Sequence, residues 1–116
     1  MAKLILMIDG VGSQHFDIEG DCLRIGRSST NDVHIDDLAV SSEHAVIEKS
    51  QDENFPDHVT YNVRDLGSTN NTFVNDIQIS SQQLNNNDML KVGWSVFKFV
   101  DERQPSMDTT AYILPT

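Results

Sequence analysis

Short apolar segments alternate with polar residues along most of this chain. In residues 15–18 and 22–26, hydrophobic side chains occupy every second position, which puts them on one face of an extended strand. Glycine and aspartate pairs interrupt the segments, as at Asp9-Gly10 and Gly20-Asp21, and such pairs favour turns. No window of about eleven residues follows the helical period of about 3.6 residues. The pattern therefore predicts strands joined by turns.

The predicted strands are short and evenly spaced. They cover residues 3–8, 15–18, 22–26, 33–35, 44–49, 59–66, 72–74, 77–79, 89–92 and 95–100. This spacing indicates an all-β fold, a two-sheet antiparallel β-sandwich of about ten to eleven short strands. Residues 82–88 are predicted to form a polar turn. After residue 100 alternation is weak and two prolines occur, so we expect one domain over residues 1–100 and a mobile tail over residues 101–116.

Composition and charge narrow the classes of partner. Hydrophobic residues make up 38% of the 116 residues, which is enough for one domain with a single core. The formal charge is −10, from 18 acidic residues against 8 lysines and arginines. A nucleic-acid binder that follows the phosphates needs a basic stripe, so nucleic acid is not an expected partner. Any anion site must be assembled locally, against an unfavourable overall field.

Other features bear on location and cofactors. The longest apolar run, residues 4–8, is too short to span a bilayer, and no signal-peptide pattern opens the chain. We therefore expect a cytoplasmic protein without a membrane partner. The single Cys22 fits a reducing compartment; it can pair between chains, but a buried strand thiol is favoured. Because His15, His34 and His58 lack ligand spacing, no metal and no other cofactor is expected.

A loop of small and polar residues separates two alternating segments near the middle of the chain. Residues 67–71 are Gly-Ser-Thr-Asn-Asn. Glycine and asparagine tolerate positive φ, and short hydroxyl and amide side chains hydrogen-bond the neighbouring backbone. Such a loop is held from within and can direct a hydroxyl and an amide outward together. Taken alone, however, it is better interpreted as an ordinary strand connection.

Three further motifs precede this loop and change that interpretation. They are Gly26-Arg27, Asn31-Asp32-Val33 and Ser41-Ser42-Glu43-His44, and all four motifs lie within roughly 50 residues. Their order and spacing resemble the forkhead-associated (FHA) domain family. The pattern of that family is Gly-Arg, Asn/Asp-Asp-hydrophobic, Ser-x-x-His and Gly-Ser/Thr-Thr-Asn-Gly-Thr-hydrophobic-hydrophobic-Asn-Gly. Each motif alone is common, but their combination in this order is specific. The resemblance runs from about Leu23 to Asp76 and implies a stand-alone module that binds phosphothreonine-containing segments.

The candidate phosphate ligands have suitable chemistry. The resemblance assigns the phosphate to Arg27, Ser41 and Thr69. A phosphate dianion needs several donors, at least one of them charged, and Arg27 supplies a planar fork of N–H donors. Ser41 offers a hydroxyl and the N–H groups of its loop, and Thr69 offers a hydroxyl from the opposite loop. Without these companions, Arg27 is better explained as a surface arginine paired with one of the 18 acids.

Other positions receive supporting roles. The resemblance implies that Asn70 grips the main chain of the bound peptide; Ser42 either touches that main chain or faces water. Structural support of the loops is expected from Gly26, His44 and Gly67. A Ser41 nucleophile activated by His44 is not expected, because no motif supplies an orienting acid, so the chain is not expected to be an enzyme.

This chain departs from the family pattern at three places. Asn71 and Asp76 stand where the pattern has glycine, but both residue types visit the left-handed region, so the turns should survive. Ala39 stands near the partner-selecting positions, where an arginine would favour an acidic residue three places after the phosphothreonine. With Asp36, Asp37 and Glu43 nearby, an apolar or basic neighbour on the partner is favoured instead.

The predicted function is a phosphothreonine-dependent protein-binding module that acts as a signalling adaptor. Its expected partner is a phosphothreonine-containing protein or peptide, for example a Ser/Thr kinase or its substrate. Two alternatives stay open: a phosphate-independent interaction module that binds through a face of the sandwich, and a binder of small polar ligands. In the tail, Thr109 and Thr110 are candidate phosphorylation sites, against the alternative of incidental threonines. If phosphorylated, they are expected to be captured by a second molecule, because the family's termini lie away from its binding loops.

Overall fold

The structure is a computed structural model that describes residues 2–51, 53–55 and 59–101. Within these ranges the chain forms eleven strands. The strands are β1 (Ala2–Ile8), β2 (Val11–Asp17), β3 (Cys22–Gly26), β4 (Val33–His34), β5 (Ala45–Gln51), β6 (Val59–Asp65), β7 (Thr72–Val74), β8 (Ile77–Ile79), β9 (Ser81–Leu84), β10 (Met89–Val92) and β11 (Ser95–Asp101). The same residues contain no helix with the length and apolarity that a membrane span requires.

The strands form two sheets. One has six strands in the order β2-β1-β11-β10-β7-β8, and the other has five in the order β4-β3-β5-β6-β9. The short pairing of β3 with β4 is parallel, whereas the other described pairings are antiparallel. The predicted all-β sandwich is therefore confirmed. Residues 102–116, including Thr109 and Thr110, lie outside the described residues, as does His58.

The core lies between the two sheets because alternate residues of the central strands point inward. Leu4, Phe97 and Phe99 contribute from the six-stranded sheet, and Ile25 and Ile47 from the five-stranded sheet. Each of these side chains is at most 1% exposed. Burial of a side chain of this size stabilises the fold by about 1.5–3 kcal/mol. This core gives the loops at the ends of the strands a rigid base.

Two predictions about individual segments were wrong. Ser81–Leu84 forms β9 along the edge of β6, where Leu84 lies opposite Tyr61. Its sequence, Ser-Gln-Gln-Leu, shows no alternation of hydrophobic and polar residues. Only Leu84 is buried in the core, so the other three positions do not require hydrophobic side chains. Cys22 is exposed, not buried. Since Leu23 is directed into the core, the alternation of side chains along the strand turns Cys22 outward.

Candidate functional site

Three loops meet at one end of the sandwich because several strands begin or end there. Ala45, the first residue of β5, lies opposite both Ile25 near the end of β3 and Asp65 at the end of β6. Residues 27–32 are here called the first loop, residues 35–44 the second loop and residues 66–71 the third loop. The predicted ligand residues are distributed over all three, and the strand register brings the loops together.

An open cavity of about 310 Å³ lies between the loops. Its lining comes from all three of them: Arg27, Leu38, Ala39, Val40, Ser41, Ser42, Thr69 and Asn70. The structure thus brings together every residue predicted to contact phosphate or peptide. Leu38, to which the sequence analysis assigned no role, is 89% exposed at this cavity. The cavity combines a cation and several hydroxyl and amide groups with one exposed apolar side chain.

The guanidinium group of Arg27 is held by the second loop. Its Nε donates a hydrogen bond to the carbonyl oxygen of Val40 at 3.1 Å, and its backbone N–H donates to the carbonyl oxygen of Ser41 at 2.9 Å. Among the described residues, no carboxylate lies within ion-pair distance of Arg27, and no acceptor binds its two Nη groups. The fork of Nη donors is therefore available to an anionic ligand.

The second and third loops are linked across the cavity. The backbone N–H of Thr69 donates to the hydroxyl oxygen of Ser41 at 3.1 Å. The side-chain amide of Asn70 donates to the carbonyl oxygen of Ala39 at 2.9 Å. Because the Ser41 oxygen acts here as an acceptor, its hydroxyl hydrogen can still be donated to a ligand. Asn70 has a loop-linking role that sequence reasoning missed, and its amide oxygen still faces no described donor.

His44 joins the same two loops from the buried side, beneath the cavity. Its side chain is fully buried, at 0% exposure. The backbone N–H of Ser41 donates to His44 Nδ1 at 3.1 Å, so Nδ1 is unprotonated and Nε2 carries the hydrogen. That Nε2–H donates to the carbonyl oxygen of Asn71 at 2.9 Å. With both ring nitrogens engaged and no contact with the cavity, His44 has the geometry of a brace and not of a catalytic base.

Gly26 and Asn31 connect the first loop to the second. A Cβ atom on Gly26 would lie 2.2 Å from the carbonyl oxygen of Ser42 and 2.7 Å from Asn31 Nδ2, so no side chain fits there. Asn31 Nδ2 donates to the carbonyl oxygens of Ser28 and Ser42, at 2.9 and 2.8 Å. Sequence reasoning used Asn31 only as part of a motif. The side chain of Asn31 is only 7% exposed, and this burial, which marks it as a structural residue, is visible only in the fold.

Asp65 organises the third loop. One carboxylate oxygen accepts the N–H groups of Gly67 and Ser68 at 3.0 and 3.1 Å, and the other accepts the hydroxyls of Ser68 and Thr72. Burial acts to raise the pKa of the Asp65 carboxyl, but these hydrogen bonds to its charged form outweigh burial, so the pKa lies below its ordinary value. Sequence reasoning missed this role, although an aspartate two residues before a Gly-Ser turn is a signal of it.

The two replaced glycines adopt the conformation that their turns require. Asn71 and Asp76 both have φ of 68°, and Gly67 has φ of 77°. The expectation that these turns survive is therefore confirmed. Asn75, which precedes Asp76 in the tight turn between β7 and β8, also has positive φ, at 51°.

A second cavity of about 260 Å³ adjoins the first. It shares Ala39 and Asn70 with the first cavity and is otherwise lined by Phe73, Lys91, Gly93 and Trp94. The ammonium of Lys91 lies 6.0 Å from the centre of the Phe73 ring and 5.6 Å from that of the Trp94 ring, within reach of cation–π interactions. Sequence reasoning missed all four of these residues. The only local signal was a tryptophan in a turn.

Comparisons with known proteins agree with the motifs. A family model described as the FHA domain matches residues 23–93. The oxoglutarate dehydrogenase inhibitor of Corynebacterium jeikeium (strain K411) is 32% identical over 92 residues, which cover 79% of this chain and 59% of that protein. The chain thus spans less than two thirds of the length of the curated relatives it matches.

Two solved structures also resemble this one. A chain from a structural and functional analysis of phosphothreonine-dependent FHA domain interactions has a TM-score of 0.72 and 27% identity, covering 87% of this chain and 96% of that chain. Mycobacterium tuberculosis EmbR, in complex with a low-affinity phosphopeptide, has a TM-score of 0.71 and 30% identity. That similarity covers 85% of this chain and 24% of EmbR.

Proposed function

This chain belongs to the FHA domain family, and we propose that it is a phosphothreonine-dependent protein-binding module that acts as a signalling adaptor and carries out no reaction. The phosphate is bound by Arg27, Ser41 and Thr69, and the partner's main chain by Asn70 and Ser42. One observation carries this proposal: these five residues line one open cavity, where the Arg27 Nη groups meet no acceptor among the described residues.

The chemistry of the cavity supports phosphate in preference to a neutral ligand. The charged fork of Arg27 forms stronger hydrogen bonds to a dianion than neutral donors do. Ser41 and Thr69 add hydroxyl donors from opposite loops. The hydrogen bonds from Arg27 to Val40 and from Thr69 to Ser41 exist before any ligand arrives. Little side-chain order must therefore be created on binding, which favours affinity in an acidic protein of formal charge −10.

The proposed partner is a protein that carries phosphothreonine, such as a Ser/Thr kinase or one of its substrates, and the proposed location is the cytoplasm. Both related structures concern phosphorylated ligands, one by its phosphothreonine dependence and one by its bound phosphopeptide. The name of the oxoglutarate dehydrogenase inhibitor fits a relative that acts by binding another protein.

The test compares one pair of peptide pools. Isothermal titration measures binding of a pool with a fixed central phosphothreonine and random flanking residues, and of the same pool with unmodified threonine. We expect binding of the phosphorylated pool and affinity at least about 10-fold lower for the other, since at least one charged hydrogen bond is lost. Equal affinities would contradict the proposal and favour the alternative of a phosphate-independent module that binds through a sheet face.

A further inference from the structure

Hydrophobic side chains cover much of the outward face of the six-stranded sheet. They occupy the positions between core-facing residues of β1, β7, β10 and β11: Ile5, Met7, Phe73, Met89, Val96 and Val100. All are half-buried, yet none belongs to the core cluster. On the outward face of the five-stranded sheet the corresponding positions are mainly polar, as at Arg24, Asn62, Arg64 and Gln83.

Two lysines lie among these apolar residues. Lys98 is opposite Ile5 on one neighbouring strand and Met89 on the other. Lys91 is opposite Val96 on one side and Phe73 on the other. With Met7, which is opposite Val96, these residues form a continuous surface over four adjacent strands. This surface, consisting of Ile5, Met7, Phe73, Met89, Lys91, Val96 and Lys98, is here called the outer patch.

The charge of the outer patch differs from that of the whole chain. The formal charge of the chain is −10, whereas the outer patch contains two lysines and no carboxylate. No carboxylate of a described residue lies within ion-pair distance of Lys91 or Lys98. On the other sheet, by contrast, Arg64 pairs with Glu48 at 3.0 Å. An acidic partner would thus meet uncompensated positive charge at the outer patch.

The outer patch is continuous with the phosphate cavity. Phe73 and Lys91 line the second cavity together with Ala39 and Asn70, and the latter two also line the first cavity. Trp94 stands beside this passage and is 80% exposed. A ligand anchored at Arg27 can therefore extend over Asn70 and onto the sheet without crossing a gap.

We propose that the outer patch is a second contact surface for the phosphorylated partner, and that it binds an acidic segment or surface of that partner in which carboxylates alternate with large apolar residues. The carboxylates pair with Lys91 and Lys98, while the apolar residues cover Met7, Met89 and Val96. This inference rests on the proposed phosphothreonine site. Two contacts on one partner act together, because the first raises the effective concentration of the second. This preference for an acidic partner is the opposite of the preference for an apolar or basic neighbour that the acidic residues of the second loop suggested.

The test uses synthetic ligands with two parts. The core is a short phosphothreonine peptide, extended at either end through a Gly-Ser linker by a segment of alternating aspartate and leucine. The controls are the core alone and the core extended by alternating lysine and leucine. In at least one orientation we expect the acidic extension to tighten binding about 10-fold over the core, and the gain to fall at high salt. The basic extension should not tighten binding.

The double variant K91E/K98E should lose this gain while binding the core within about twofold of the unmodified protein. The single variant Lys49→Glu makes half of this charge change, on the other sheet, and should keep the gain. No gain in either orientation, or a gain that persists in K91E/K98E, would overturn the inference while leaving the core affinity intact. If the core itself fails to bind, the proposed phosphothreonine site fails. If the acidic segment binds equally well without phosphate, the face is an independent site and the proposed coupling is wrong.

Discussion

The rim of the site and the layer beneath it are made of different residues with different tasks. The rim consists of exposed or half-buried residues whose donors face the cavity: Arg27, Ser41, Thr69 and Asn70. The layer beneath consists of residues that hold the loops: Gly26, Asn31, His44 and Asp65. Because the rim side chains are exposed or half-buried, their loss should lower affinity more than stability. Loss of a residue in the layer beneath, called here the lower layer, should first lower the stability of the fold. It should lower affinity only because the loops are displaced.

This division explains how an acidic protein can present an anion site. Asn31 ties the first loop to the second, and His44 ties the second to the third. Asp65 holds the backbone of the third loop with its carboxylate, which is turned inward to four hydrogen-bond donors. The negative charge of Asp65 is thereby satisfied within the loop, and the Nη groups of Arg27 stay available to a ligand.

The largest effect is expected in the lower layer, from Gly26→Ala. The new Cβ would collide with backbone atoms of Ser42, which cannot rotate away. We expect a loss of at least about 3 kcal/mol in the free energy of unfolding, at the upper end for overpacking, measured by urea denaturation. Gly20→Ala is the matched control, because a Cβ there meets nothing within 4 Å. Equal stability of the two variants would contradict the close approach of the first and second loops.

Substitution of His44 by alanine should have the next largest effect on the free energy of unfolding. It removes two part-buried hydrogen bonds and leaves the N–H of Ser41 and the carbonyl of Asn71 without these partners. We expect a loss of about 2–4 kcal/mol in the free energy of unfolding. Binding of the phosphothreonine pool should weaken as well, although His44 does not reach the cavity. The exposed His34 provides the control, since His34→Ala should change neither quantity appreciably.

At the rim, Arg27→Ala should separate affinity from stability. Loss of the charged donor should weaken binding of the phosphothreonine pool about 10- to 100-fold, which corresponds to about 1.5–3 kcal/mol. Its melting temperature should stay close to that of the unmodified protein. Arg24→Ala, which removes an exposed arginine of the preceding strand β3, should bind normally. An unchanged dissociation constant in folded Arg27→Ala, measured by isothermal titration, would remove Arg27 from the phosphate site.

Asp65 should make stability depend on pH. Because the pKa of Asp65 is lowered in the folded state, its charged form stabilises the protein above its ordinary value near 3.8, and this contribution is lost as pH falls through the lower folded pKa. Asp65→Asn should therefore be less stable by about 1–2 kcal/mol at pH 7, and the difference should narrow below about pH 4. Urea denaturation from pH 7 to pH 3 measures it. Ser68→Ala removes one donor to Asp65 and should lower the free energy of unfolding at pH 7 by less than Asp65→Asn does. If Asp65→Asn lowered the free energy of unfolding by the same amount at every pH, the charged form of Asp65 would not be what stabilises the loop.

The smallest effect is expected from Thr69→Ala. The hydroxyl of Thr69 is a neutral donor, and the backbone N–H that binds Ser41 remains in the variant. Affinity for the phosphothreonine pool should therefore fall only about 3- to 10-fold, the value of one ordinary hydrogen bond. A loss as large as that of Arg27→Ala would mean that the rim does not depend chiefly on its cation. Fluorescence anisotropy with one labelled peptide from the pool can resolve the difference.

The sequence alone determined the features that depend on neighbouring residues. Strict alternation around Leu23 and Ile25 predicts a strand, because side chains of an extended chain alternate between two faces. Asn71 and Asp76 could be assigned left-handed turns, because few other residues adopt them readily. The order and spacing of four motifs carried the resemblance to the FHA family, and that resemblance implied one site for Arg27, Ser41 and Thr69.

Only the tertiary structure decided features whose partners are distant in sequence. Ser81–Leu84 becomes a strand because β6 offers an unpaired edge, and its own residues carry almost no strand signal. The hydrogen bonds of His44 to Asn71 and of Thr69 to Ser41 span 27 and 28 residues. The outer patch likewise exists only because pairing of β1, β11, β10 and β7 brings Lys98 and Lys91 between apolar neighbours. The sequence pattern of a segment indicates which backbone conformation that segment prefers. The burial and the charge environment of a side chain, however, depend on which strands become its neighbours.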